Sequence, residues 1–298
     1  MHFMRSKTGK KKAQSAMEYL MTYSWAIVII AVVIFSMYEL GIFGNGFSGA
    51  NAQPGSCQIS RPEGPLSILG IALAGVCSGE LPEFVAQTTS PKHINVPTSV
   101  AAVSGSFTST AWVLAINPTN NWDSYVSFHD PSAYGWQMDS NPPPAYGNTG
   151  YARARFDTSG GSNQVPTGPS INIKDGRWHF VVLVFNKVTD TAQVYTDGVA
   201  GTSKTITGTV PNTTITSAVL GNWPGDLANV QIYNTTLSAN DIQALYIEGI
   251  GGAPLVLQDL VAWWPLNGNP VDYSGDNFTG TISTLTFTSS WTSGYTAP

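Results

Sequence analysis

The sequence predicts a mainly β protein in which an N-terminal hydrophobic α-helix precedes a β-sandwich head. Three observations predict it. Five of the thirteen basic residues lie in the first 13 positions, ahead of every acid. Twenty uncharged residues then separate Glu18 from Glu39. From Cys57 onward, apolar runs such as SFTSTAWVLAI, RWHFVVLVFN, TAQVYTDG and LANVQIYN alternate with turns rich in Gly, Pro, Asn and Asp, the pattern of short strands stacked in two sheets.

The helix comes first in chain order. At about 1.5 Å per residue, twenty helical residues span roughly 30 Å, the thickness of a bilayer core. AIVIIAVVIF is apolar on every side, so it reads as a membrane helix and not an amphipathic one. Tyr19, Tyr23 and Trp25 at one end and Tyr38 at the other sit where interface aromatics belong. The basic run Arg5, Lys7, Lys10, Lys11 and Lys12 holds the N-terminus in the cytoplasm. Without the first 13 residues the chain keeps 8 basic and 18 acidic groups, a formal charge of 8 − 18 = −10. A body that acidic is a poor partner for nucleic acid, so the lysines read as a topology or targeting signal.

The lysines followed by Ala13, Gln14, Ser15, Ala16, Met17, Glu18, Tyr19 and Leu20 resemble archaeal type IV pilin-like proteins with a class III signal peptide. The resemblance covers about 35 residues. It implies that a prepilin peptidase cuts between Ala13 and Gln14, although Ala13 stands where many members have Gly. Residues 1–13 are then the leader and 14–43 the pilin-type helix. Glu18 becomes the fifth residue of the mature chain. A carboxylate at the edge of an apolar helix is costly unless paired, and the new amino terminus of a neighbouring subunit is a cation available to it. The other reading places Glu18 in the headgroup layer, as Glu39 is at the far end.

GIFGNGFSGANAQPGS reads as a helix stop and a flexible linker, assigned to 44–56. Cys57 and Cys77 follow it on the outward side, where a disulfide is the expected state and two buried thiols are the alternative.

The head is assigned to 57–298. Asp197 and Gly198 signal a hairpin turn. LSANDIQALYIEG reads as one helix, with Ser238 as N-cap, Asp241 at the third position, Ile242, Leu245 and Tyr246 on the apolar face and Gly249 as the stop. FTSTAWV, DGRWH before an apolar strand, VYTDG, and NVQIY followed by Leu237, Ser238, Asp241 and Ile242 occur in the order found in laminin-G-like (concanavalin A-like) jelly rolls, which residues 80 to 248 resemble as a set. Trp112 and Trp178 are expected in the core. The tail LVAWWPLNGNPVDYSGDNFTGTI resembles the start of such a domain after its usual end. Residues 255–298 are therefore expected to return as strands, either into this head or onto a neighbouring subunit.

Catalysis is not expected. After Cys57 the glutamates are Glu63, Glu80, Glu83 and Glu248, with no acidic cluster on one strand of the kind a glucanase uses. His2, His93, His129 and His179 are scattered, and no HExxH, GxSxG or phosphate loop appears. Glycan contacts are expected instead from Trp122, Asp123, Trp136, Asp139, Trp223 and Asp226 in turn-rich segments, with loop packing as their plainer role. Asp272 and Asp276 in DYSGDN are the candidate calcium ligands. Asn212, Asn234 and Asn277 open sequons and mark exposed loops.

These readings give an extracellular filament subunit, helix in the core and lectin-like adhesive head outside. Its partners would be copies of itself, the prepilin peptidase and pilus assembly machinery, the membrane before assembly, and surface glycans. The alternative is a membrane-anchored carbohydrate-binding protein that does not polymerise.

Overall fold

The computed structural model describes residues 23–24, 26–33, 81–88, 92–101, 105–115, 124–129, 135–140, 150–208, 215–296 and 298. The chain divides into two compact units, Met1–Ala52 and Gln53–Pro298.

In the first unit, residues 23–24 and 26–33 are helical, and 26–33 form helix α1. Its Ile27, Val28, Ile29, Ile30, Val32 and Val33 are all exposed, as an apolar-all-round helix is without lipid or a partner. Eight residues cover about 12 Å. Among the described residues no helix is long and apolar enough to cross a membrane, so the full transmembrane span expected from the sequence is not seen. Ala13, Gln14, Glu18, Cys57, Cys77 and the linker lie outside the described residues.

The second unit is a sandwich of two sheets. Its strands are β1 (Val85–Thr88), β2 (His93–Asn95), β3 (Phe107–Ala115), β4 (Ser124–Phe128), β5 (Gly135–Asp139), β6 (Tyr151–Thr158), β7 (Gly161–Gln164), β8 (Thr167–Asn172), β9 (Trp178–Asn186), β10 (Thr191–Thr196), β11 (Val199–Ala200), β12 (Lys204–Thr205), β13 (Val219–Gly221), β14 (Gly225–Tyr233), β15 (Leu260–Trp264), β16 (Thr281–Ser283) and β17 (Thr286–Thr288). The first sheet runs β11-β10-β9-β3-β14-β1-β17, with β12 also on β10 and β15 also on β14. The second runs β16-β2-β13-β4-β5-β6-β7, with β8 also on β6. Every pairing is antiparallel within the described residues.

Period-2 alternation fixes which side chains meet between the sheets. Ile94, Leu220, Val126, Met138 and Ala154 of the second sheet point inward, against Ala111, Val113, Val181, Leu183, Val230 and Ile232 of the first. The outward face of the first sheet is also covered. Trp112, Leu114, Trp178, Phe180 and Tyr233 pack there under Leu237, Ile242 and Leu245 and under Trp291 and Tyr295. Trp112 and Trp178 are thus buried as expected, but beneath helix α2 (Ala239–Ile247) and not between the sheets.

The local signals of the head hold. Ser238 caps α2 in a reciprocal box with Asp241, and Gly249 follows the C-cap at φ +79°. Asp197 and Gly198 adopt φ 51° and 77°, both left-handed, which makes a two-residue hairpin turn between β10 and β11. The tail folds into its own head. β15 and β1 share one side of β14, Trp264 opposite Val230 and Ala86 opposite Leu227. β17 adds an edge to the first sheet through β1, and β16 adds one to the second through β2.

Candidate binding cleft

Among the described residues, the outward face of the second sheet carries a cleft. Asn95, Val219, Ser127, Gln137 and Arg155 stand in register across β2, β13, β4, β5 and β6, one residue out of phase with the inward row. With His93, Ser124, His129, Ser217 and Asn222 they line a cleft of about 490 Å³. The strands that build it are SYVSF, GWQMD and YARARFDT. In each, small or apolar residues turn inward and Ser, Gln, Asp and Arg turn outward.

Two buried carboxylates brace this face. Asp157 accepts from Arg155 Nη2 and His129 Nε2 at 2.6 Å each on Oδ2, and from the Asn163 N–H at 2.6 Å and Arg155 Nε at 3.3 Å on Oδ1. Burial opposes its ionisation, but these donors outweigh burial and hold the carboxyl below its usual range. Asp139 accepts from Arg153 Nε, and from Gln137 Nε2 at 3.0 Å. Burial pushes its carboxyl up, partly offset by Arg153 and Gln137. Both acids therefore orient donors on this sheet, and Asp157, with four donors on its two oxygens, keeps little acceptor capacity for anything above it.

The residues singled out from the sequence fall elsewhere. Trp136 is 2% exposed and Trp223 0%, so neither can stack on a sugar. Trp136 lies at 4.7 Å from the Phe107 ring and 4.8 Å from Phe128, in the core between the sheets. The Trp223 indole N–H donates to the Leu114 carbonyl at 3.2 Å, which lets a turn residue bury its ring edge-on to Tyr125. Asp226 is 2% exposed and sits on β14 of the other sheet, where its Oδ1 has no hydrogen-bond partner and burial raises its pKa to about 7. Trp122, Asp123 and Asn212 lie outside the described residues. Asn234 and Asn277 are exposed.

The DYSGDN loop takes a different role from calcium binding. Asp272 Oδ1 accepts from the N–H groups of Trp263 and Ser274, and Oδ2 from Ser274 Oγ and the Phe278 N–H, each within 2.8–2.9 Å. A cation would face four inward hydrogens there, so these residues do not fit one. Asp276 is exposed. Among the described residues no group of three His, Cys, Asp or Glu side chains could hold a metal ion.

His2 lies outside the described residues, and the other three histidines sort into two places. His93 and His129 both line the cleft. His179 at the start of β9 bonds Asp197 through Nδ1 at 2.7 Å and Asp175 through Nε2 at 3.0 Å. Burial works against its charge, but the two carboxylates raise its pKa above the usual value. Asp197 also accepts the Phe180 N–H at 2.8 Å, so His179 ties the hairpin turn to the turn before β9. The cleft itself was missed in the sequence, yet YARARFD carries its signal: Arg153, Arg155 and Asp157 alternate with Ala152, Ala154 and Phe156.

Residues 88–243 match the family model described as the concanavalin A-like lectin/glucanases superfamily. The chain belongs to that superfamily. Among solved structures it is similar to a Bacteroides ovatus ATCC 8483 protein named as carbohydrate binding, with TM-score 0.51 and 17% identity over 70% of this chain and 60% of that one. It therefore spans less than two thirds of that relative. The sialidase module CBM40 of Ruminococcus gnavus gives TM-score 0.42 at 12% identity, over 54% of this chain and 96% of that one. A Limulus polyphemus SAP-like pentraxin gives 0.40 at 14%, over 58% and 88%. No curated protein matches the chain in sequence. A concanavalin A-like lectin/glucanase domain here means a two-sheet sandwich whose second sheet carries the cleft on its outward face.

Proposed function

We propose that this chain is a surface-displayed carbohydrate-binding protein whose head takes a glycan in the cleft between Asn95 and Arg155. The observation that carries this reading is the row Asn95, Val219, Ser127, Gln137 and Arg155 across β2, β13, β4, β5 and β6, four polar side chains and one valine that line a cleft among the described residues, while the opposite sheet's outer face is sealed by α2, Trp291 and Tyr295. Amides, hydroxyls and a guanidinium converging in one concavity are the groups that recognise sugar hydroxyls and ring substituents. The superfamily's lectin members and the Bacteroides ovatus relative support the same reading. Binding without cleavage is favoured because Asp139 and Asp157 are each held by an arginine, and neither is a spare acid or nucleophile. The test is a glycan array probed with the full chain in detergent, alongside Ser127→Trp, which fills the middle of the cleft. The chain should retain a defined set of glycans and the variant should lose them; equal retention by the variant would remove the cleft from the account.

A second reading adds polymerisation. It rests on the basic run, QSAMEYL and the apolar stretch, which resemble archaeal type IV pilins. The chain would then be cut between Ala13 and Gln14, and Glu18 would pair with a neighbour's new amino terminus while heads cover the filament. N-terminal mass spectrometry with electron microscopy of sheared cells tests it. Glu18→Ala should abolish filaments and leave the head folded; filaments of normal length from that variant would end the pairing idea.

A further inference from the structure

We infer that Asn234 and Asn277 each carry an N-linked oligosaccharide. The inference rests on the reading of the head as displayed outside the membrane, and not on what the cleft holds. Both residues open an Asn-X-Thr triplet, Asn234-Thr235-Thr236 and Asn277-Phe278-Thr279. A triplet is a short pattern that any chain can hold; what matters is whether its amide nitrogen is free to be modified. Both asparagines are exposed. Asn277 stands at φ 61°, beside exposed Gly275 and Asp276. Among the described residues, neither side-chain amide has a hydrogen-bond partner. Other loop asparagines spend theirs on the local backbone. The side-chain oxygens of Asn172, Asn186 and Asn269 accept the N–H groups of Lys174, Val188 and Val271 at 2.9, 2.9 and 3.0 Å, and that of Asn267 accepts from Phe84 at 2.8 Å.

The transfer forms a bond from the asparagine Nδ2 to C1 of the first sugar. It breaks the C1–O bond to a lipid-linked phosphate donor, which departs with the bonding pair, and the amide gives up one proton. The backbone of both triplets is engaged once the head has folded. The Asn234 N–H donates to the Asp259 carbonyl at 2.9 Å, and the Thr235 carbonyl accepts from Thr108 Oγ1 at 2.8 Å. The Phe278 N–H donates to Asp272 at 2.8 Å, and its carbonyl accepts the Trp264 indole N–H at 2.9 Å. An enzyme that grips the triplet must do so before those bonds close. The sugar is therefore added to the unfolded chain, and the fold then carries it outward on an exposed side chain.

The experiment is glycopeptide mass spectrometry on the full chain purified from the cells that make it. The peptides holding Asn234 and Asn277 should each carry a sugar mass. Thr236→Ala and Thr279→Ala keep the asparagine and should lose it, while Thr236→Ser and Thr279→Ser keep the hydroxyl and should retain it. A bare peptide at either asparagine overturns the assignment of that residue. A synthetic peptide of residues 274–282 should accept sugar from membranes of those cells, and the folded full chain made without the modification should not. Equal acceptance by the folded chain would overturn the order of transfer and folding. An impermeant amine label on intact cells reads the side of the membrane through Lys204, which is exposed. A labelled head with both triplets bare would overturn this inference and spare the display reading. An unlabelled head with both triplets bare would overturn both.

Discussion

The Phe84 N–H donates to the side-chain oxygen of Asn267 at 2.8 Å, joining two residues 183 positions apart. The bond sits where β15 ends and β1 begins. Those two strands, from opposite ends of the head, line one side of β14. The tail is therefore part of the first sheet's centre and not an appendage. Trp264 in β15 is fully buried, with its indole N–H on the Phe278 carbonyl at 2.9 Å.

Two substitutions measure that closure. Trp264→Ala removes a large core side chain and strands an acceptor, and should cost about 3–5 kcal/mol. Asn267→Ala should cost about 1 kcal/mol. A chain ended after Asp259 removes β15, leaves the Val230–Tyr233 half of one side of β14 unpaired and should lose its cooperative unfolding transition. Denaturant titration followed by tryptophan fluorescence reads all three.

His179 predicts a pH dependence above the ordinary histidine value. Its folded pKa is raised, so its contribution is fully present below the ordinary histidine value of about 6.5 and is lost as pH rises through the folded value. Melting temperatures between pH 6 and pH 9 should fall in the parent chain, and fall less in His179→Gln, which cannot gain or lose that proton. Equal slopes would contradict the two-carboxylate clamp.

Asp226 predicts a gain of stability by substitution. Its carboxyl is buried with an unpartnered oxygen and a pKa raised to about 7. Folding therefore favours the protonated form, and the cost of ionisation grows from about pH 4 to pH 7 and then levels off. Asp226→Asn should stabilise the head by about 2 kcal/mol at pH 8 and by little at pH 4, read by chemical denaturation at both values.

The Asp272 loop predicts indifference to calcium. With four protein donors on its carboxylate, chelator should leave the melting temperature within about 1 °C, while Asp272→Ala should cost about 2–3 kcal/mol through orphaned N–H groups. A calcium-dependent rise in melting temperature would contradict the loop as described.

What the sequence showed followed from local rules. Ser238 and Asp241 specify a helix start wherever the chain runs, and Asp197 with Gly198 can make only a few turns. The tail's destination was undecided in sequence, since LTFTSSW suits any sheet edge; the match of Trp264 to Val230 and Phe287 to Ala86 places it in its own head. Trp136 and Trp223 misled because turn residues surround them. Trp136 in fact occupies the inward phase of GWQMD, and Trp223 satisfies its N–H on Leu114. The cleft was hard to see because its residues come from five strands, each contributing one or two side chains that are ordinary by themselves. Only registration across β2, β13, β4, β5 and β6 makes a site of them.

Diffraction from the chain co-crystallised with the tightest array glycan tests the central claim most directly. The account predicts sugar density in the cleft, hydrogen-bonded to Arg155 and Gln137, with Trp136 and Trp223 untouched. Density on the edge loops of the first sheet, with the cleft empty, would contradict it.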